Sequence, residues 1–137
     1  MPISNPPEPN DPGDRDILVV DDNPSLRALL GDFLQSHGYR IACAADGRQA
    51  LRLLERHSFR LVLTDIYMPE SDGLELIAHL RKANPKPIIV AMSGDGSPDQ
   101  ELALNTARLL GARHVLFKPF PLPELLAYVR TALGGNA

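Results

Sequence analysis

The chain has 137 residues, 44% of them hydrophobic, and a formal net charge of −3. That is the size of one domain with ample apolar material for a core, so no disulfide or structural metal is needed to hold it together. Cys43 is the single cysteine, which excludes an internal disulfide and a cysteine-based zinc site and fits a reducing compartment. No apolar run approaches the roughly 20 residues of a membrane span, no signal core opens the chain, and Lys and Arg form no cluster. The composition therefore describes a cytoplasmic protein without membrane or direct nucleic-acid contacts.

Residues 1–15 carry five prolines (Pro2, Pro6, Pro7, Pro9 and Pro12) with almost no apolar partners, and they read as a disordered tail. Ile17 to Val20 is a buried strand ending on Asp21-Asp22. Asn23 can cap the next helix, and Pro24 fits its first turn. Leu26, Leu29, Leu30, Phe33 and Leu34 recur at helical spacing as its inner face, and Gly38 stops it. Tyr39 to Ala45 predicts a second strand. A helix through Ala50, Leu51, Leu54 and His57 follows the Asp46-Gly47 turn, with His57 and His79 expected as exposed helix residues. Phe59 to Thr64 is a third strand whose run Leu61-Val62-Leu63 no polar side chain interrupts, and it delivers Asp65 just before the turn signals Pro69 and Asp72-Gly73. Leu74, Ile77 and Leu80 mark a third helix ending before Pro85. Pro87 to Met92 is a fourth strand that ends on Ser93, and 94–98 has the composition of a mobile loop. Residues 99–110 make a fourth helix with Leu102, Leu109 and Leu110 on its inner side. His114 to Phe117 is a fifth strand running into Lys118-Pro119. A last helix from about Leu122 to Leu133 turns Leu125, Leu126 and Val129 inward, and 134–137 fray.

Five strand–helix alternations predict a doubly wound α/β sandwich, a (βα)5 chain whose parallel sheet has the flavodoxin-like order 2-1-3-4-5. In such a sheet every carboxyl end lies on one edge, where ligands bind. Asp21 and Asp22 leave the first strand, Asp65 the third, Ser93 the fourth and Lys118 the fifth. Taken singly, these are a helix cap, a turn aspartate, a turn serine and a solvated lysine. Taken together they form one constellation. Carboxylates about 4 Å apart repel by roughly 4 kcal/mol at an effective dielectric near 20, and a divalent cation relieves this. All-oxygen ligands suit Mg²⁺ or Mn²⁺ better than Zn²⁺. A hydroxyl (Ser93) and an ammonium (Lys118) are donors for phosphoryl oxygens, so the residues point to phosphoryl transfer onto a carboxylate, with Asp65 central. Other chemistries lack their motifs: there is no Gly-rich loop ending in Gly-Lys-Ser/Thr and no Gly-x-Ser-x-Gly, and the four histidines show no metal-ligand spacing.

These motifs are Ile17-Leu18-Val19-Val20-Asp21-Asp22, Thr64-Asp65-Ile66-Tyr67-Met68-Pro69 with Asp72-Gly73, Ser93, and Lys118-Pro119-Phe120. In this order the chain resembles the receiver domain of two-component response regulators, from about Asp16 to Leu133. The resemblance implies a domain over 16–133 that signals and is no enzyme beyond its own phosphorylation and slow dephosphorylation. Asp65 would be the phosphoacceptor. Asp22, Asp65 and the Tyr67 carbonyl would bind Mg²⁺, with Asp21 acting through water. Ser93 would receive the phosphoryl group, and Lys118, ahead of a cis peptide bond, would contact its oxygens. The donor would be a sensor histidine kinase or a histidine phosphotransfer protein. The reader would be a partner protein, to which a stand-alone receiver, monomer or weak dimer, presents its fourth helix, fifth strand and last helix.

The chain departs from the family at Val115, which stands where the switch aromatic usually lies, with His114 and Phe117 near but out of register. It departs also at the bulky Tyr67 and in the loop over 94–98. The alternatives are a degenerate receiver acting as a phosphate-independent interaction module, against which the intact set of five residues argues, and an aspartate-nucleophile phosphohydrolase. That enzyme family places a second Asp where this chain has Tyr67.

Overall fold

A computed structural model describes residues 15–66, 72–83, 86–94 and 100–134. The elements are β1 (Arg15–Val20), α1 (Pro24–Ser36), β2 (Ile41–Ala44), α2 (Gly47–Arg56), β3 (Phe59–Asp65), α3 (Asp72–Lys82), β4 (Ile88–Ser93), α4 (Gln100–Leu110), β5 (His114–Phe117) and α5 (Leu122–Ala132). All strand pairs are parallel, and the sheet order is β2-β1-β3-β4-β5, as the alternation predicts. No helix among the described residues is long and apolar enough to cross a membrane.

The central strands carry the apolar runs Ile17–Val20, Leu61–Leu63 and Ile88–Met92 because both of their faces are covered. Ile17 and Val19 of β1, Leu61 and Leu63 of β3, and Val90 and Met92 of β4 join Leu30 and Leu34 of α1 and Leu125 and Val129 of α5 in one core. The alternate residues Leu18, Val20, Val62 and Ile89 join Ala50 of α2 and Leu76 and Leu80 of α3 in the other. Two opposed cores fix the register: a slip of one residue would exchange every side chain between them. In this register Val20 lies beside Thr64, Asp65 beside Met92, and Ser93 beside Phe117, which aligns the strand ends on one edge.

Several sequence expectations are corrected. β1 begins at Arg15, so the last residue of the expected tail belongs to the sheet; 1–14 lie outside the described residues. β2 is shorter than 39–45. Gly38 turns the chain at φ 96°, Tyr39 buries its side chain in the α1/α5 core, and Arg40 locks onto Asp16. The buried Asp16 carboxylate accepts from the Arg40 N–H at 2.8 Å and lies near the Arg40 and Arg60 guanidinium groups at 3.8 and 3.7 Å.

His57 is buried, not an exposed helix residue. α2 ends at Arg56, and the extended backbone of His57 turns its ring inward, edge-on to Phe59. Leu29 and Leu109, expected inside, are 50% and 71% exposed, because helical spacing alone cannot say where an apolar stripe ends.

Truncating Leu63 to Ala is expected to cost about 2–5 kcal/mol, since the site is closed on all sides. Leu109→Ala should stay within about 0.5 kcal/mol. Urea unfolding midpoints of the two variants check this contrast.

Candidate functional site

Four strand ends build the site. Asp21, the first residue past β1, is fully buried, and its N–H still donates to the Ala44 carbonyl at 3.1 Å. Its Oδ1 accepts from the Asn23 N–H at 2.8 Å and its Oδ2 from Lys118 Nζ at 2.8 Å. Asn23 caps α1, its Oδ1 accepting from the Ser25 and Leu26 N–H groups, and so fixes the turn that carries both acids. Asp22 is exposed at the rim. Asp65 ends β3 and is 8% exposed, and the Ile66 N–H after it donates to the Met92 carbonyl. Lys118 follows β5. Its N–H donates to the Ser93 carbonyl at 2.8 Å, its Nζ reaches Asp65 Oδ2 at 3.2 Å, and the bond to Pro119 is cis.

Carboxylate oxygens of Asp21, Asp22 and Asp65 lie within 4.8 Å of one another. At that separation each pair repels by roughly 3.5 kcal/mol at an effective dielectric near 20. Lys118 sets one positive charge against the three. Burial would lower its pKa, but the hydrogen bond to Asp21, the charges of Asp65 and Asp21, and the hydrogen bond to Asp65 outweigh this and raise it above 10.5. The remaining negative charge, on oxygen ligands only, fits a small hard divalent cation. Ser93 presents a second demand: its Oγ is buried and has no hydrogen-bond partner among the described residues. Such a group is costly unless something comes to meet it.

The site thus brings together Asp21, Asp22, Asp65, Ser93 and Lys118. Tyr67 and residues 95–98 of the expected loop lie outside the described residues. Residues 115 and 117 share one face of β5 by alternation, and Leu116 faces the α1/α5 core. Phe117, half-buried, is paired with Ser93, while Val115 lies one step back beside Ala91. His114 is on the opposite face, stacked on Tyr128 at 4.4 Å. Beside the acids, a cleft of about 500 Å³ is walled by Leu26, Leu29 and Leu30 of α1 and by Phe120 and Leu122. The sequence reading missed Arg27, whose Nη1 donates to the Asp21 carbonyl at 2.8 Å. The only signal was a cation in the first turns of a helix that starts beside two acids.

The response regulator receiver domain model matches residues 17–130. The chain belongs to this family. The receiver domain is 38% identical over 117 residues to the transcriptional regulatory protein CpxR of Escherichia coli strain K12, covering 85% of this chain and 48% of that protein. It therefore spans about half the length of the curated relatives it matches. The chemotaxis response regulator CheY4 of Vibrio cholerae has a similar structure (TM-score 0.73, 29% identity, covering 86% of this chain and 98% of that one). So does the response regulator TrrA of Thermotoga maritima in complex with Mg²⁺-BeF (TM-score 0.71, 31% identity, 86% and 98% covered). The fold is thus the flavodoxin-like one expected. The chain is a receiver domain of two-component signalling, a signalling domain and not a classical enzyme.

Lys118→Met should lower stability by about 3 kcal/mol at neutral pH, because it strands the buried Asp21 carboxylate. The raised pKa gives the sign with pH. The lysine's contribution is whole below its ordinary 10.5 and is lost as pH rises through the higher folded value. Unfolding curves of wild type and variant should therefore draw together as the buffer becomes strongly alkaline.

Proposed function

We propose that Asp65 accepts a phosphoryl group from a phosphohistidine on a sensor histidine kinase or histidine phosphotransfer protein, and that the reaction requires Mg²⁺ or Mn²⁺. The observation that carries this is the Asp65 carboxylate, gathered with Asp21 and Asp22 and touched by Lys118 at the carboxyl edge of the sheet. A carboxylate oxygen of Asp65 forms the new O–P bond while the P–N bond to the imidazole breaks, and the electron pair leaves on the nitrogen. Lys118 would meet the charge on the phosphoryl oxygens, and the Ser93 hydroxyl, unpartnered among the described residues, would donate to one of them.

Asp22 and Asp65 would ligate the ion with the Tyr67 carbonyl. Asp21, whose oxygens already accept from Asn23 and Lys118, would act through water. When bound, the ion neutralises carboxylate charge and draws negative charge off the transferring group. The Mg²⁺-BeF complex of TrrA supports this reading by likeness. The apolar cleft beside the acids gives the donor protein a surface to rest on, and a partner protein reads the result through α4, β5 and α5 in the cytoplasm.

Intact mass after incubation with acetyl phosphate tests the reading. Wild type with Mg²⁺ should gain one phosphoryl group, and wild type with EDTA, or Asp65→Asn with Mg²⁺, should gain none. Equal labelling of Asp65→Asn would overturn the assignment. No labelling of wild type under any metal condition would favour the phosphate-independent module.

Mg²⁺ should also raise the thermal midpoint at constant ionic strength. The gain follows RT ln(1 + [L]/Kd), about 2.7 kcal/mol at 100 Kd. Asp22→Asn should abolish it more fully than Asp21→Asn.

A further inference from the structure

We propose that Arg27 is a positioning residue for the metal-binding acids, holding the peptide group that joins Asp21 to Asp22. The inference rests on the reading of the acids as a metal site. The Asp21 carbonyl belongs to the peptide plane between the two acids, and β1 has ended at Val20, so it lies beyond the strand's own span. Arg27 Nη1 donates to it at 2.8 Å in a part-buried setting. With Asn23 N–H on Asp21 Oδ1 and Asp21 N–H on the Ala44 carbonyl, the plane and the residue before it are held from three directions.

Two features of α1 put the guanidinium there. Gly31, four residues on and so on the same helix face, lets α1 lie close on β2: a Cβ at Gly31 would stand 3.1 Å from Cys43 Sγ and 3.8 Å from Ile41 Cγ2. Arg27 is then one turn nearer the carboxyl edge and reaches back over the end of β1. Cys43 senses it as well. Desolvation raises the thiol's pKa, and the Arg27 charge opposes that rise.

A cation beside a metal site ought to weaken binding of a second cation, and this gives the inference a sign. If Arg27 acted by charge alone, Arg27→Gln would bind Mg²⁺ more tightly. If it holds the peptide plane, the same change loosens the acids and binding weakens, by about tenfold for one lost charge-assisted hydrogen bond.

The experiment is calorimetric Mg²⁺ titration of wild type, Arg27→Gln, Arg27→Lys and Asp22→Asn at constant ionic strength, with thermal midpoints in EDTA. The expected result is weakened binding in Arg27→Gln, partial recovery in Arg27→Lys, which retains a donor and the charge, and near-loss in Asp22→Asn. Unchanged or tighter binding in Arg27→Gln, with Asp22→Asn disabled, overturns the role of Arg27 alone. Unchanged binding in Asp22→Asn overturns the metal reading itself.

Discussion

The Lys118 ammonium between Asp21 and Asp65 is the contact on which the site depends. Three carboxylates converge from the ends of two neighbouring strands, and without a counter-charge their repulsion would oppose the register that brings them together. Lys118 comes from a third strand that is not adjacent to either, so it ties β5 across β4 to β3 and β1. It compensates only in part, leaving net negative charge on the edge.

The rest of the molecule makes this convergence rigid. Two apolar cores on opposite faces hold the strands to one register, and backbone bonds from Asp21 to Ala44, Ile66 to Met92 and Lys118 to Ser93 carry the alignment one residue past the strand ends. The polar residues then divide by how far they are already satisfied. Asp21 is buried with both oxygens engaged; Asp22, its neighbour, is exposed to solvent at the rim while its carboxylate stays with the other two. Ser93 is buried with its hydroxyl unpartnered among the described residues, a cost that makes sense if an acceptor arrives there during function.

Position 115 shows how the fold sharpens a sequence-level oddity. Val115 departs from the pattern that the sequence resemblance implies, and sequence alone leaves both His114 and Phe117 near that place. The pleat separates them. His114 lies on the α5 side against Tyr128, whereas Phe117 shares the face of Val115, one step nearer Ser93.

Much of this protein was determined by its sequence. Apolar runs of strand length, separated by helical spacing and turn residues, dictate the alternation, and right-handed crossovers leave few sheet orders for it, of which 2-1-3-4-5 is the common one at this size. That order puts Asp21, Asp22, Asp65, Ser93 and Lys118 on one edge with no further information. The tertiary structure alone decided everything that depends on which atoms meet. Asp21 is locked and Asp22 open because of a capping N–H and a lysine 97 residues away. His57 is buried because α2 stops one residue before it, and Leu109 on α4 is exposed although helical spacing groups it with the apolar residues. Arg27 reaches a carbonyl because a glycine one turn later lets the helix lie close on β2. Periodicity encodes faces and order, being a local property of the backbone. Contacts between side chains distant in sequence are fixed only when the whole chain has packed.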